Sequence, residues 1–341
     1  MNIKDLFKIA VQRKASDLHL NVGLLPILRI DGELVPLKKF SQLISKELEE
    51  MIFSILTEDQ KKRLMSRRDL DFGHSVDNER FRVNAHFEKD EIGLVARVIR
   101  EEMPTLESIG MPEMLKKLLD DCCDLILVTG PTGCGKSTTL AAMINYINNN
   151  QNKKIITLED PIEFVFKPNK SLIIQRQLGT DIPSFASGLR HALRQDPNVI
   201  MVGEMRDLET ISAAITLAET GHMVLATLHT HSAAQSIDRI IDVFPPYQQN
   251  QVRIQLSMTL RAVISQRLLP KIKGGRIAAR ELMIKNPAIA NLIRENKIAQ
   301  IQNVIETSQS SGMISFDRDL KDLLKAGLIS EEVAKDNMKK V

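Results

Sequence analysis

The feature that most restricts this chain is residues 124 to 139, DLILVTGPTGCGKSTT. There an apolar strand runs directly into Gly-x-x-x-x-Gly-Lys-Ser, complete at Gly130, Gly135, Lys136 and Ser137. A tri-anion has to be wrapped by backbone amides at close range, and Gly130, Gly133 and Gly135 let successive N–H groups turn inward with no Cβ in the way. The helix opening near Lys136 adds its positive N-terminal dipole to the same anion. Lys136 is spaced to reach the β- and γ-phosphates and the Ser137 hydroxyl to meet Mg²⁺. The whole turn, Gly130, Pro131, Thr132, Gly133, Cys134, Gly135, Lys136, Ser137 and Thr138, is therefore the expected ATP site. Its context fits, because ILVTG reads as a buried strand and STTLAAMINYIN places apolar residues at helical spacing.

A length of 341 residues suggests two domains, and a hydrophobic share of 43% is enough for two cores. No stretch approaches the ~18 uninterrupted apolar residues of a membrane span. The first twenty residues carry charges throughout and lack the apolar centre of a signal peptide, so a cytoplasmic location is expected. The three cysteines, Cys122, Cys123 and Cys134, fit a reducing compartment. Cys134 sits inside the turn, where a thiol near a helix N-terminus is either somewhat reactive or simply a small tolerated side chain. A net charge of +3 with basic residues scattered among acids, 4% aromatic residues and no Trp argues against stacked single strands, and stable nucleic-acid binding is not expected.

Before residue 100 the apolar runs are short or alternating, as in LPILRIDGELVPL (24–37) and ERFRVNAHFEKDEIGLVARVIR (79–100). These predict strands, with a hairpin turn at Asp31-Gly32. Residues 45–65 between them have helical periodicity, so residues 1–100 form an expected small α+β domain. The Pro- and Gly-containing segment 101–115 reads as a linker, and 116–341 as the nucleotide domain. In that domain strands at 124–130, 154–160, 198–204 and 223–229 alternate with helices at 136–149, 184–194 and 207–220. Such alternation is the mark of a parallel sheet covered on both faces. From about 232 the chain reads as mainly helical, and Leu320, Leu323 and Leu324 on one face predict a packed terminal helix pair.

In an open parallel sheet, ligands bind beyond the carboxyl ends of the strands. Glu159, Asp160 and Glu163 follow one strand and Glu204 follows the next, so acids converge on the turn. A carboxylate there can orient and deprotonate water or complete a Mg²⁺ shell, which makes Glu163 and Glu204 the catalytic candidates.

Four further segments, ITLEDPIEFVF (156–166), SGLRHALRQDPNVIMVGEMRDLET (187–210), TGHMVLATLHT (220–230) and IDRIIDVFP (237–245), resemble the signature boxes of the secretion and pilus-motor ATPase superfamily. The likeness extends from ASDLHL and RIDGEL near the start to GRIAARELM and NLIRE near the end. It implies a RecA-like P-loop nucleotide domain with a mainly parallel sheet, preceded by a small α+β, PAS-like domain. The resemblance also implies roles. Glu163 would be the catalytic base, and Glu204 the Walker B acid that supports Mg²⁺ directly or through water. His222 and His229 would sense nucleotide state, and Arg82, Arg97 and Arg276 lie in segments that supply arginines around the nucleotide.

Three histidines, His222, His229 and His231, raise the question of zinc, but their spacing completes no four-ligand shell. A phosphate loop with its own Lys136 still lacks a cation for charge developing between the β- and γ-phosphates, which a neighbouring subunit's arginine commonly supplies. Arg80, Arg82, Arg97 and Arg100 stand on expected strands, where most arginines are merely solvated or salt-bridged. The resemblance implies a homo-hexamer, peripheral to an inner-membrane pilus platform protein and not inserted in the membrane, that spends ATP on pilus retraction. Assembly and secretion members usually carry a longer N-terminal region and a four-cysteine zinc insertion, and three cysteines cannot supply two CxxC pairs. A DNA translocase with a similar core, an assembly or secretion ATPase of the same superfamily, and a nucleotide-gated scaffold are the alternatives.

Overall fold

The structure, a computed structural model, describes residues 2–30, 32–77, 79–99, 103–121 and 123–338. Asp31 of the expected hairpin turn, Arg100 and Cys122 lie outside the described residues. The chain divides into two compact units, residues 1–102 with 161–165, and residues 103–160 with 166–341.

The first unit begins with α1 (Ile3–Gln12), capped by the Asn2 side chain, which accepts the Lys4 N–H. Then come β1 (Asp17–Leu20), β2 (Ile27–Ile30), β3 (Glu33–Pro36), α2 (Ser45–Phe53), α3 (Glu58–Arg67), β4 (Asp69–Val76), β5 (Glu79–Glu88) and β6 (Glu91–Ile99). The strands form an antiparallel sheet in the order β3-β2-β1-β6-β5-β4. Period-2 alternation sets its faces: Phe81, Val83 and Ala85 of β5 are fully buried against Leu6, Phe7 and Leu48, while Arg80, Arg82 and Asn84 point the other way. Ile30 pairs with Glu33, leaving a two-residue connection in which Gly32 has φ 93°. The helical stretch predicted over 45–65 is broken into α2 and α3. Thr57 and Gln60 form a reciprocal capping box there, which satisfies a new helix start more cheaply than continuation would.

The second unit comprises α4 (Met114–Asp120), β7 (Asp124–Thr129), α5 (Lys136–Asn150), β8 (Lys154–Glu159), β9 (Leu172–Gln177), α6 (Phe185–Ala192), β10 (Val199–Val202), α7 (Leu208–Glu219), β11 (Met223–Leu228), α8 (Ala233–Asp242) and α9 (Pro246–Thr259). It continues with β12 (Leu260–Pro270), β13 (Arg276–Ile284), α10 (Pro287–Arg294), α11 (Ile301–Thr307), α12 (Phe316–Lys325) and α13 (Glu331–Met338). The sheet order is β13-β12-β7-β11-β10-β8-β9, parallel throughout except for the β12/β13 pair. β10 and β11 are buried at every position, as strands covered on both faces must be. Ser184, Asp207, Ser232 and Asn286 each accept the N–H three residues on, fixing the starts of α6, α7, α8 and α10.

The region after 232 departs from the mainly helical reading, because 260–270 and 276–284 form a long hairpin that extends the sheet beside β7. Both faces of β12 are buried, so LRAVISQRLLP lacks the alternation that marks a strand, and tertiary packing decides its state. α12 and α13 close over this hairpin through Phe316, Leu320, Ile329 and Ala334 against Leu269 and Ala279. Residues 104–111 of the expected linker are tied down within the second unit. Asn145 donates to the Pro104 carbonyl at 3.0 Å, and the Arg280 guanidinium donates to the carbonyls of Ile109 and Gly110 at 2.6 and 3.2 Å.

Candidate nucleotide and catalytic site

β7 ends at Thr129 and the chain turns at once through Gly130, Gly133 and Gly135, whose φ angles are 143°, 78° and 91°. All three lie in the region L side chains rarely adopt, which is the backbone reason for glycine at these points. α5 starts at Lys136 with Gly135 as its cap, and a glycine has no side chain to cap the first-turn N–H groups near Ser137 and Thr138, the groups that face an anion at a helix start. The Lys136 ammonium donates to the carbonyls of Gly130 and Pro131 at 2.8 and 3.1 Å, curled over the turn where phosphate oxygens would compete for it. Thr132 is exposed at the tip of the turn. Cys134 is 2% exposed, and burial pushes its thiol up despite the nearby Lys136, so it is a neutral space-filling side chain and not a reactive one.

Two parallel neighbours deliver the rest. Leu228 of β11 pairs with Thr129, which sets His229 beside the entry to the turn, and Val202 of β10 pairs with Ala226, which sets Gly203 and Glu204 next along. The Thr227 hydroxyl donates to the Gly203 carbonyl, and the Met205 N–H to the Thr227 carbonyl at 3.1 Å, fixing the bend after β10. Glu204 Oε1 accepts from Arg206 Nε at 2.5 Å and lies 3.1 Å from His229 Nε2. Burial alone would raise the Glu204 carboxyl, but the Arg206 hydrogen bond and the charge of His229 outweigh it and hold the group below the usual carboxylate range. Glu204 thus presents a carboxylate beyond the end of β10, on the same side of the sheet as the glycine turn and two strands from β7, with the His229 imidazole bonded to it.

The other candidates are placed differently. His222 precedes β11 at the end of the strand opposite His229, its Nδ1 within 3.0 Å of the Thr220 hydroxyl and 3.1 Å of the Leu217 carbonyl. The six residues of β11 separate it from His229 by about 20 Å, so within one chain only His229 is within range of the turn. Glu159 is 7% exposed and accepts from Thr157 and Gln175 at 2.6 and 3.0 Å, a buried structural acid. Glu163 falls in the 161–165 segment that groups with the first unit. Arg82 and Arg97 are also in the first unit, opposite each other on β5 and β6, with Arg97 Nε donating to Asp17 at 2.8 Å. Arg276 opens β13, opposite Pro270 and well past the Ser265–Thr129 pair. Among the described residues there is no group of three or more His, Cys, Asp or Glu that could hold a metal ion.

Sequence reasoning did not single out Arg206, although it stands two residues after Glu204 and spacing alone marks it as a neighbour. It also passed over Ser265 and Gln266 of β12. The Ser265 hydroxyl accepts from Thr129 at 2.9 Å, and the Gln266 amide bonds Cys134 and Thr139 at 2.8 and 2.9 Å. No motif marks those residues, because the strand that carries them was not foreseen.

The chain matches the type II/IV secretion system protein family over residues 2–308. It is 48% identical over 340 residues to the type IV pilus retraction ATPase PilT of Pseudomonas aeruginosa, covering 99% of this chain and 98% of that one. A twitching motility protein of Neisseria gonorrhoeae is 47% identical over 312 residues, 91% of this chain and 83% of the relative. Among solved structures, the pilus retraction motor PilT with bound ADP superposes with a TM-score of 0.92 at 46% identity, covering 98% of this chain and 96% of that one.

Proposed function

The chain belongs to the type II/IV secretion system protein family, and on that premise we propose that it is a motor ATPase that powers retraction of type IV pili. The observation that carries this reading is the end-to-end match, at 48% identity, with a retraction ATPase, joined to a phosphate turn of the right backbone shape in a RecA-like domain. The reaction is hydrolysis of ATP to ADP and phosphate. Gly130 to Thr138 bind the phosphates, and Lys136 exchanges the loop carbonyls for β- and γ-phosphate oxygens.

Ser137 and Glu204 offer a hydroxyl and an ionised carboxylate, the hard oxygen pair that suits Mg²⁺ when phosphates and water complete its shell, and they are the residues that would hold it. Mg²⁺ bound there would neutralise charge on the phosphate oxygens. His229 is assigned as the sensor of the terminal phosphate, a reading supported by its 3.1 Å contact with Glu204. Glu163 is assigned as the base that orients and deprotonates the attacking water, while Arg82, Arg97 and Arg276 are the cations gathered around the nucleotide in an assembled ring. His222, out of reach of its own chain's turn, would sense nucleotide only through a neighbouring copy. The working form is a homo-hexamer of chains organised as a small domain (1–100), a linker (101–115) and a nucleotide domain (116–341), cytoplasmic and peripheral at an inner-membrane platform protein. No helix among the described residues is long and apolar enough to cross a membrane.

The test is a pilus retraction assay in cells carrying Lys136→Ala, read beside pilus number. Hyperpiliated cells that do not retract are expected, and bald cells would assign the chain to assembly instead. Stimulation of hydrolysis several-fold by DNA at low salt would revive a translocase.

A further inference from the structure

Gln266 of β12 is 1% exposed and lies against the strand that feeds the phosphate turn. Its side-chain Nε2 donates to the Cys134 carbonyl at 2.8 Å, and its Oε1 accepts from the Thr139 hydroxyl at 2.9 Å. The chemistry dictates this orientation: a carbonyl only accepts, so the amide nitrogen faces Cys134 and the oxygen is left for the hydroxyl. The Gln266 backbone carbonyl stands behind Gly130, where an added Cβ would come within 2.3 Å of its oxygen. One buried residue thus touches the entry of the turn, the 134–135 peptide and the first turn of α5.

In a planar trans peptide the carbonyl of one residue and the N–H of the next point in opposite directions. Drawing the Cys134 carbonyl onto Gln266 therefore turns the Gly135 N–H away from β12, toward the side left open for an anion. Gly135, at φ 91°, borders this peptide, and Gly133, at φ 78°, stands just before Cys134, so that little else would stop it from rotating. The bond from Thr139 holds the same amide from its other end, which couples the peptide to the direction of α5.

We propose that Gln266 is the positioning residue that presets the phosphate turn for nucleoside di- and triphosphates, by locking the 134–135 peptide before the nucleotide arrives. This rests on the nucleotide reading above. Preorganisation removes an ordering cost shared by bound substrate and transition state, so its loss raises KM and leaves kcat nearly intact.

The experiment uses the full chain, with a fluorescent ADP titrated in the presence of Mg²⁺, steady-state ATP hydrolysis and the thermal midpoint. Gln266→Met keeps the volume and removes both hydrogen bonds. Gln266→Glu keeps the acceptor for Thr139 but sets a carboxylate oxygen against the Cys134 carbonyl. Thr139→Val strips one bond from the far side. Expected is a rise in the ADP Kd of about tenfold for Gln266→Met, more for Gln266→Glu and about threefold for Thr139→Val, with kcat within about twofold of wild type. The Gln266→Met/Thr139→Val pair should lose less than the product of the single effects, since both act through one amide. Wild-type Kd and KM in Gln266→Met overturn the proposal, and so does an equal fall in kcat and kcat/KM. Should Gln266→Met fail to fold, an unchanged Kd in Thr139→Val overturns it. A wild-type chain that binds no ADP refutes the nucleotide site and this inference with it, whereas a wild type that binds ADP beside an unaltered variant refutes only the part given to Gln266.

Discussion

Replacing Gly130 by alanine should be far more damaging than the same change at Gly133, three residues on in the same turn. Both glycines have positive φ, 143° and 78°, so each alanine carries a backbone penalty. Their surroundings differ. A Cβ at Gly130 would lie 2.3 Å from the Gln266 carbonyl oxygen and 2.7 Å from the Cys134 sulfur, whereas at Gly133 nothing lies within 4 Å. The Gln266 carbonyl cannot withdraw freely, because β12 is held between β7 and β13. Gly133→Ala therefore costs about 1–2 kcal/mol, the left-handed penalty alone. Gly130→Ala adds overpacking of about 1–3 kcal/mol to backbone strain of similar size, about 4 kcal/mol together. At about 2–4 °C per kcal/mol for a domain of this size, the thermal midpoint should fall by about 8–16 °C for Gly130→Ala and about 2–8 °C for Gly133→Ala. Scanning calorimetry of both variants without nucleotide reads the difference directly. Equal shifts, or a smaller one at Gly130, would refute the reasoning that the β12 backbone shapes the turn.

Glu204→Gln should lower kcat by about 10²–10³-fold with a smaller change in KM, measured in single-turnover hydrolysis. Because the Glu204 carboxyl is held below its ordinary value of 4.5, its ionised form survives moderate acid. The limb of the pH–rate profile that belongs to it should lie below that value in the wild type and disappear in the variant. Glu281 is the opposite case: burial foremost raises its carboxyl, while Oε1 accepts the Ala233 N–H at 2.8 Å. An acid whose folded pKa is raised opposes folding above its unfolded value, and the penalty grows until the folded group ionises. Glu281→Gln keeps the acceptor, so its midpoint should exceed the wild type's at pH 8, with the gap closing as pH falls toward 4.5. Arg280→Met removes the donors to the Ile109 and Gly110 carbonyls and should destabilise the chain by about 3 kcal/mol in denaturant titration. Arg280→Lys should recover only part of this, for want of a planar fork.

How far the site could be foreseen follows from how local its signals are. The turn from Gly130 to Ser137 was legible because glycine spacing reports backbone conformation, and φ values of 143°, 78° and 91° are what that spacing required. The position of Glu204 just past a strand was legible because it follows a short run of buried residues, while His229 was marked only by the likeness of its segment to a family box. Their hydrogen bond at 3.1 Å was not, since it depends on β10 and β11 lying side by side. His222 and His229 flank β11 at its two ends, a separation that their shared motif does not record. Glu159 shows a further limit of local reading, because Thr157 and Gln175 turn a strand-end acid into a packed one.

Taken alone, the amino-acid order settled what depends on neighbours a few residues apart: a strand feeding a glycine turn, a helix starting at Lys136, acids at strand tips and an alternating parallel architecture. Tertiary structure decided what backs that turn. Residues 260–270 became the strand against β7 because its two faces could both be buried there, and only that placement brought Gln266 onto Cys134 and Thr139. Strand pairing is a contact between segments more than a hundred residues apart, and its free energy comes from burial that no local window of sequence records.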